Sequence, residues 1–163
     1  MDLANFGNEL ISKINAELRM KLKFRSDSTI EHTAFYVSSE ECIEVNEGLL
    51  EEEARAKNIN LKDYTYIIIS HEIGHALDKQ LPKIDTKIQR FERILKTQGY
   101  KEEIANRLMM CKLEAEQNAW NHAENIVTPK FNLLFNQIKS ESLKKSKENF
   151  KLEKQLLKLK LKR

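Results

Sequence analysis

Turn-forming residues are scarce. Two prolines and four glycines in 163 residues are too few for the many tight corners of an all-β sandwich or barrel, and no collagenous or low-complexity class fits. Cysteine is nearly absent as well. Cys42 and Cys111 are the only two, and without a C-x-x-C spacing they make neither a disulfide framework nor a thiolate metal site, which points to a reducing cytosol. Nowhere does an apolar run approach the roughly 18 residues that a membrane-spanning helix needs. The first twenty residues interleave charged with apolar side chains and lack the uninterrupted hydrophobic stretch of a secretory signal. A soluble, cytoplasmic protein is the expectation.

What is present favours helix. Hydrophobic residues make up 40% and charged residues 33% of the chain, a mixture that suits one helix-rich domain of this length. The net charge of +3 is unevenly placed. Residues 139–163 carry ten Lys and Arg against three Glu, a net of +7, which leaves −4 for residues 1–138. The expected organisation is therefore a domain over 1–138 and a basic, amphipathic helical tail over 139–163.

Leu3, Phe6, Leu10, Ile11, Ile14 and Leu18 recur at three- and four-residue steps and predict an amphipathic first helix. From Leu22 to Val45 the pattern changes to short β-branched and aromatic runs, Ala34–Val37 and Cys42–Val45, which predict a small antiparallel sheet. One of its strands is a candidate to hold an extended peptide main chain by strand addition; the alternative is that the sheet only covers the helices. Helices are then expected over Glu47–Lys57, from a cap at Asp63 to Lys79, from Asp85 to a stop at Gly99, and over Lys101–Val127.

The chemistry is concentrated in YTYIIISHEIGHALDKQ, residues 64–80. His71, Glu72 and His75 form the pattern H-E-x-x-H. Residues four apart stack on one helical face, so two imidazoles can reach one ion, as suits zinc. The neighbouring Glu72 is placed to act as the general base on a water molecule. The apolar residues Tyr66–Ile69, Ile73, Ala76 and Leu77 put this helix against a core. A catalytic zinc site needs a third protein ligand. Glu116 is the expected one, because it shares an otherwise apolar helix face with Leu113, Ala119, Trp120 and Ala123, and burying an unpaired carboxylate there is costly. Asp78 and Glu114 are the alternatives. Glu114 points away from that face, and Asp78 is expected instead to accept a histidine N–H and orient the ring. His122 and His32 are not expected to bind metal, and Tyr100, Tyr64 and His122 are open candidates for an additional oxyanion donor.

SHEIGHALD (70–78) followed by EAEQNAW (114–120) resembles the two motifs of the ImmA/IrrE group of zinc metallopeptidases, and CIEVNEGL (42–49) resembles the strand and Asn that precede the motif helix there. The A-L-D ending and the A-E-x-x-A helix are also similar to anthrax lethal-factor-like peptidases. The resemblance implies a glutamate-zinc peptidase (gluzincin) of α+β class: a mainly helical zincin-like domain with a small antiparallel sheet before the HExxH helix. It implies zinc on His71, His75 and Glu116. It also implies limited cleavage of a regulatory protein, often a repressor in phage or mobile-element control. The rival expectation is a non-catalytic helical module whose basic segment 139–163 binds nucleic acid or a protein partner.

Overall fold

A computed structural model describes residues 2–162. The elements in chain order are α1 (Leu3–Leu18), β1 (Lys23–Ser26), β2 (Ala34–Val37), β3 (Cys42–Val45), α2 (Glu47–Ala56), α3 (Leu61–Leu77), α4 (Leu81–Gln98), α5 (Glu102–Glu124) and α6 (Asn132–Leu161). The fold is α+β and mainly helical, as the sequence predicts. Among the described residues no helix is long and apolar enough to cross a membrane.

The sheet differs from the antiparallel one expected. Its order is β1-β3-β2, with β2 antiparallel to β3 but β1 parallel to it. The hairpin between Val37 and Cys42 accounts for the first pairing. In the second, β2 leaves the path between β1 and β3 and lies outside them, so that β3 becomes central and all four of its residues are buried. The Arg25 guanidinium on β1 ion-pairs with the buried Glu44 carboxylate on β3. Such pairing offsets the cost of burying the carboxylate. The strand β2 is left with one neighbour and a free edge.

The caps define where the helices begin. Asn46 Oδ1 accepts from Leu49 N–H at 3.2 Å, while its amide donates to the carbonyls of Ser28 and Ile30 and ties the preceding loop down. The α3 helix starts before the predicted cap at Asp63, because Asn60 Oδ1 accepts from the N–H groups of both Lys62 and Asp63. It ends at Leu77. The next helix opens at Leu81 rather than Asp85, with Pro82 in its first turn, where the missing N–H costs nothing.

The core lies between α3, α5 and β3, with Ile43, Leu50, Ile67, Ile73 and Trp120 fully enclosed. α3 and α5 approach unusually closely. A Cβ placed on Gly74 would sit 2.0 Å from the carbonyl oxygen of Ala119, so only a residue without a side chain fits there. The inner face of α5 is correspondingly small at Ala115, Ala119 and Ala123.

The expected boundary at 138/139 is not marked in the chain, since α6 runs straight through it. Phe135 and Ile138 enter the main core, and Leu157 and Leu161 close over Leu95, Ala105 and Leu108 of α4 and α5. Polar contacts fasten the helix along its length: Lys57 to Glu141 at 2.6 Å, Lys112 to Glu153 at 2.5 Å and Lys154 to Glu102 at 2.6 Å. The basic segment is helical, as predicted, and it is a wall of the domain rather than an appendage.

Helix propensity alone gives Gly74→Ala a gain of roughly 0.5–1 kcal/mol. The overlap with the Ala119 backbone reverses the sign, and thermal unfolding should show a loss of about 1–3 kcal/mol. A more stable variant would contradict the close approach of α3 and α5.

Candidate metal centre

His71 and His75 stand one turn apart on α3, their ring centroids 4.8 Å apart. Both direct Nε2 toward Glu116 of α5. One Glu116 oxygen lies 3.4 Å from His71 Nε2 and the other 3.5 Å from His75 Nε2. The carboxylate expected from the helix periodicity is therefore brought to the imidazole pair across the Gly74–Ala119 contact. Glu72 is buried beside them, with an oxygen 3.3 Å from His71 Nδ1. His71, Glu72 and His75 each offer a donor atom within 4.8 Å of the others, so the group can hold a metal ion.

Two observations show that the centre suits a cation. The His71 side chain is only 9% exposed, and its buried Nε2 faces Glu116 at 3.4 Å without the alignment of a hydrogen bond. Such an atom is costly to bury unless something binds it. The electrostatics point the same way. Burial by itself pushes the His71 pKa down, but the facing Glu116 and Glu72 carboxylates outweigh it and raise the value to about 9. Burial likewise pushes the Glu116 carboxyl up, and the two histidines more than offset it, leaving the group far below the ordinary carboxylate range. The surrounding carboxylates thus favour positive charge at this point, which a proton or a metal ion can supply.

Trp120, one turn after Glu116, stacks on His71 with centroids 4.2 Å apart and planes 17° apart. Phe135 of α6 meets Trp120 edge-on at 5.6 Å. A continuous aromatic column thereby fixes the His71 ring. The sequence places Trp120 on the Glu116 face but does not assign it this role, although the four-residue step between the two was the available signal.

Asp78 does not orient a metal-facing ring. It caps α3, where its Oδ1 accepts from Gln80 N–H at 2.8 Å and its Oδ2 accepts from Asn118 Nδ2 at 3.0 Å. The nearest histidine nitrogen is that of His122, 3.9 Å away. The helix ends one residue earlier, so Asp78 leaves the face it would have shared with His71 and His75, and it locks the end of α3 to α5 instead. Glu114 is exposed, as expected.

A cleft of about 1080 Å³ opens at the centre, and His71, Glu72, His75 and Glu116 all line it. β2 lines it along Ala34–Val37, α4 through Leu81, Asp85 and Ile88, and α6 through Ile138, Glu141 and Phe150. Burial raises the Asp85 carboxyl, and His75 partly counters the shift. Of the three candidate oxyanion donors only Tyr64 lines the cleft. Its hydroxyl donates to Glu53 at 2.6 Å, and burial together with that carboxylate holds the phenol firmly protonated. Tyr100 donates to Glu102 instead. Comparison of the chain with protein-family models, curated proteins and solved structures finds no match.

Metal uptake should displace the His71 proton. Up to about pH 9 His71 of the folded site holds a proton that a ligating nitrogen must give up, so apparent affinity for a divalent ion should rise as the pH approaches that value. Calorimetric titration in buffers of different ionisation enthalpy should register proton release at pH 7. Proton-neutral binding would remove His71 from the ligand set.

Proposed function

We propose that the protein is a zinc metallopeptidase that uses His71, His75 and Glu116 as ligands and Glu72 as general base, resembling the ImmA/IrrE group and cleaving a specific intracellular regulatory protein. The observation that carries this reading is the approach of both Glu116 oxygens to the two Nε2 atoms, at 3.4 and 3.5 Å. Two donors each about 2.1 Å from a tetrahedral zinc are separated by about 3.4 Å. Three protein donors and an open side toward a cleft make a catalytic set rather than a closed structural one.

Zinc, when bound, lowers the pKa of water and polarises a carbonyl. The rest is done by side chains and backbone. The free edge of β2, packed next to α3, offers main-chain N–H and C=O groups at the cleft, where an extended substrate can add as a strand and direct alternate side chains into the groove. Glu72, buried at the same cleft, takes a proton from the attacking water and returns it to the leaving amine. Trp120 and Phe135 hold the His71 ring still while this occurs.

Glu72→Gln should keep its metal and lose about 10²–10⁴-fold in hydrolysis, whereas His75→Ala should lose both metal and hydrolysis. Metal analysis of each purified variant, coupled to a cleavage screen against proteins encoded beside this one, reads both effects. Undiminished cleavage by Glu72→Gln would reject the mechanism, and full metal retention by His75→Ala would reject the ligand set.

A further inference from the structure

The outer side of α6 carries an apolar stripe that the fold does not use. Leu152, Leu156 and Leu159 are 57%, 54% and 77% exposed. At about 100° of rotation per residue they fall within roughly 60° of one another, turned away from Leu157 and Leu161, which pack on α4 and α5.

A row of lysines runs beside the stripe. Lys144, Lys147, Lys151, Lys158 and Lys162 also fall within roughly 60° of one another, centred about 100° round the helix from the leucines. All five are exposed, and none makes an ion pair among the described residues. The lysines that serve the fold are different ones: Lys139 pairs with Glu124 and Lys154 with Glu102. The helix's own acids are likewise engaged, Glu141 by Lys57 and Glu153 by Lys112, which leaves Glu148 as the one unpaired acid of 139–162 among the described residues. The net positive charge of this segment is therefore directed outward, alongside three uncovered leucines.

We infer that this face of α6 docks on an anionic lipid surface. Three kinds of surface are open to a basic, apolar helix face, and the residues discriminate among them. A second copy of the chain would bury the leucines but bring one lysine row toward the other. A nucleic acid would neutralise the lysines and leave the leucines against phosphates and water. A bilayer bearing acidic headgroups accepts both, with the leucines entering the acyl boundary and the lysine stems reaching back to the headgroups. The row from Lys144 to Lys162 extends about 27 Å along a straight helix, which suits a helix lying in the plane of the interface. The inner side of α6 is held by the domain, so the face is already ordered before it meets a membrane. This surface is independent of the metal centre and of any reaction there.

Flotation of the full chain with vesicles tests the inference. The protein should rise with vesicles of phosphatidylcholine containing phosphatidylglycerol and stay behind with phosphatidylcholine alone. The combined variant Leu152→Ser, Leu156→Ser, Leu159→Ser should bind at least about tenfold more weakly, as should Lys144→Gln, Lys147→Gln, Lys151→Gln, and added salt should weaken the parent protein in the same direction. Circular dichroism and thermal unfolding matching the parent would show that neither variant acts through misfolding. Absence of binding to the anionic vesicles overturns the inference, as does equal binding to neutral ones or an unaltered affinity in the leucine variant. Self-association, or capture of duplex DNA or of an acidic amphipathic peptide, without vesicle binding would reassign the face and overturn it equally.

Discussion

The contact between Gly74 and the backbone of Ala119 sets the geometry of the whole centre. His71 and His75 are fixed relative to each other by the helix they share, but Glu116 belongs to another helix, and its reach is limited. Only because α3 carries no side chain at Gly74, and α5 carries small ones at Ala115 and Ala119, do the two backbones come near enough for one carboxylate to face both imidazoles. The same approach seats Trp120 on His71 and lets Asn118 tie the end of α3 through Asp78. Packing and chemistry are here one constraint.

The charges at the centre belong to a single cluster. The half-buried Glu116 and the buried His71 are each unfavourable alone, and each shifts the other toward its charged form. With Glu72 also present, two carboxylates face two rings, and the cluster is stable only with positive charge in its midst. The cluster opens on a cleft walled by β2, α4 and α6, so it is enclosed without being sealed.

Much of this was legible in the sequence, and the reasons for success and failure differ by residue. The roles of His71, His75 and Glu116 as members of one site rest on helical periodicity, which is local and survives folding. The antiparallel sheet was half right, because the hairpin that pairs β2 with β3 is local, whereas the parallel pairing of β1 with β3 skips a strand and leaves no mark in either segment. Asp78 was misassigned because α3 ends at Leu77, two residues before the expected Lys79, which redirects the Asp78 side chain, and helix ends are poorly encoded. The fastening of α6 was not legible since the partners of its charged residues, Lys57, Glu102 and Lys112, lie some forty to eighty residues earlier in the chain. A lysine-rich segment looks the same in sequence whether its glutamates are solvated or paired.

The aromatic column from His71 through Trp120 to Phe135 joins residues that the ribosome produces at different times. A nascent chain that has emerged only as far as α5 already possesses both imidazoles and their carboxylate, yet the Trp120 ring still lacks its backing and the apolar side of α5 is uncovered. The centre is completed only when α6 arrives, so maturation of the site is timed by translation of the later segment.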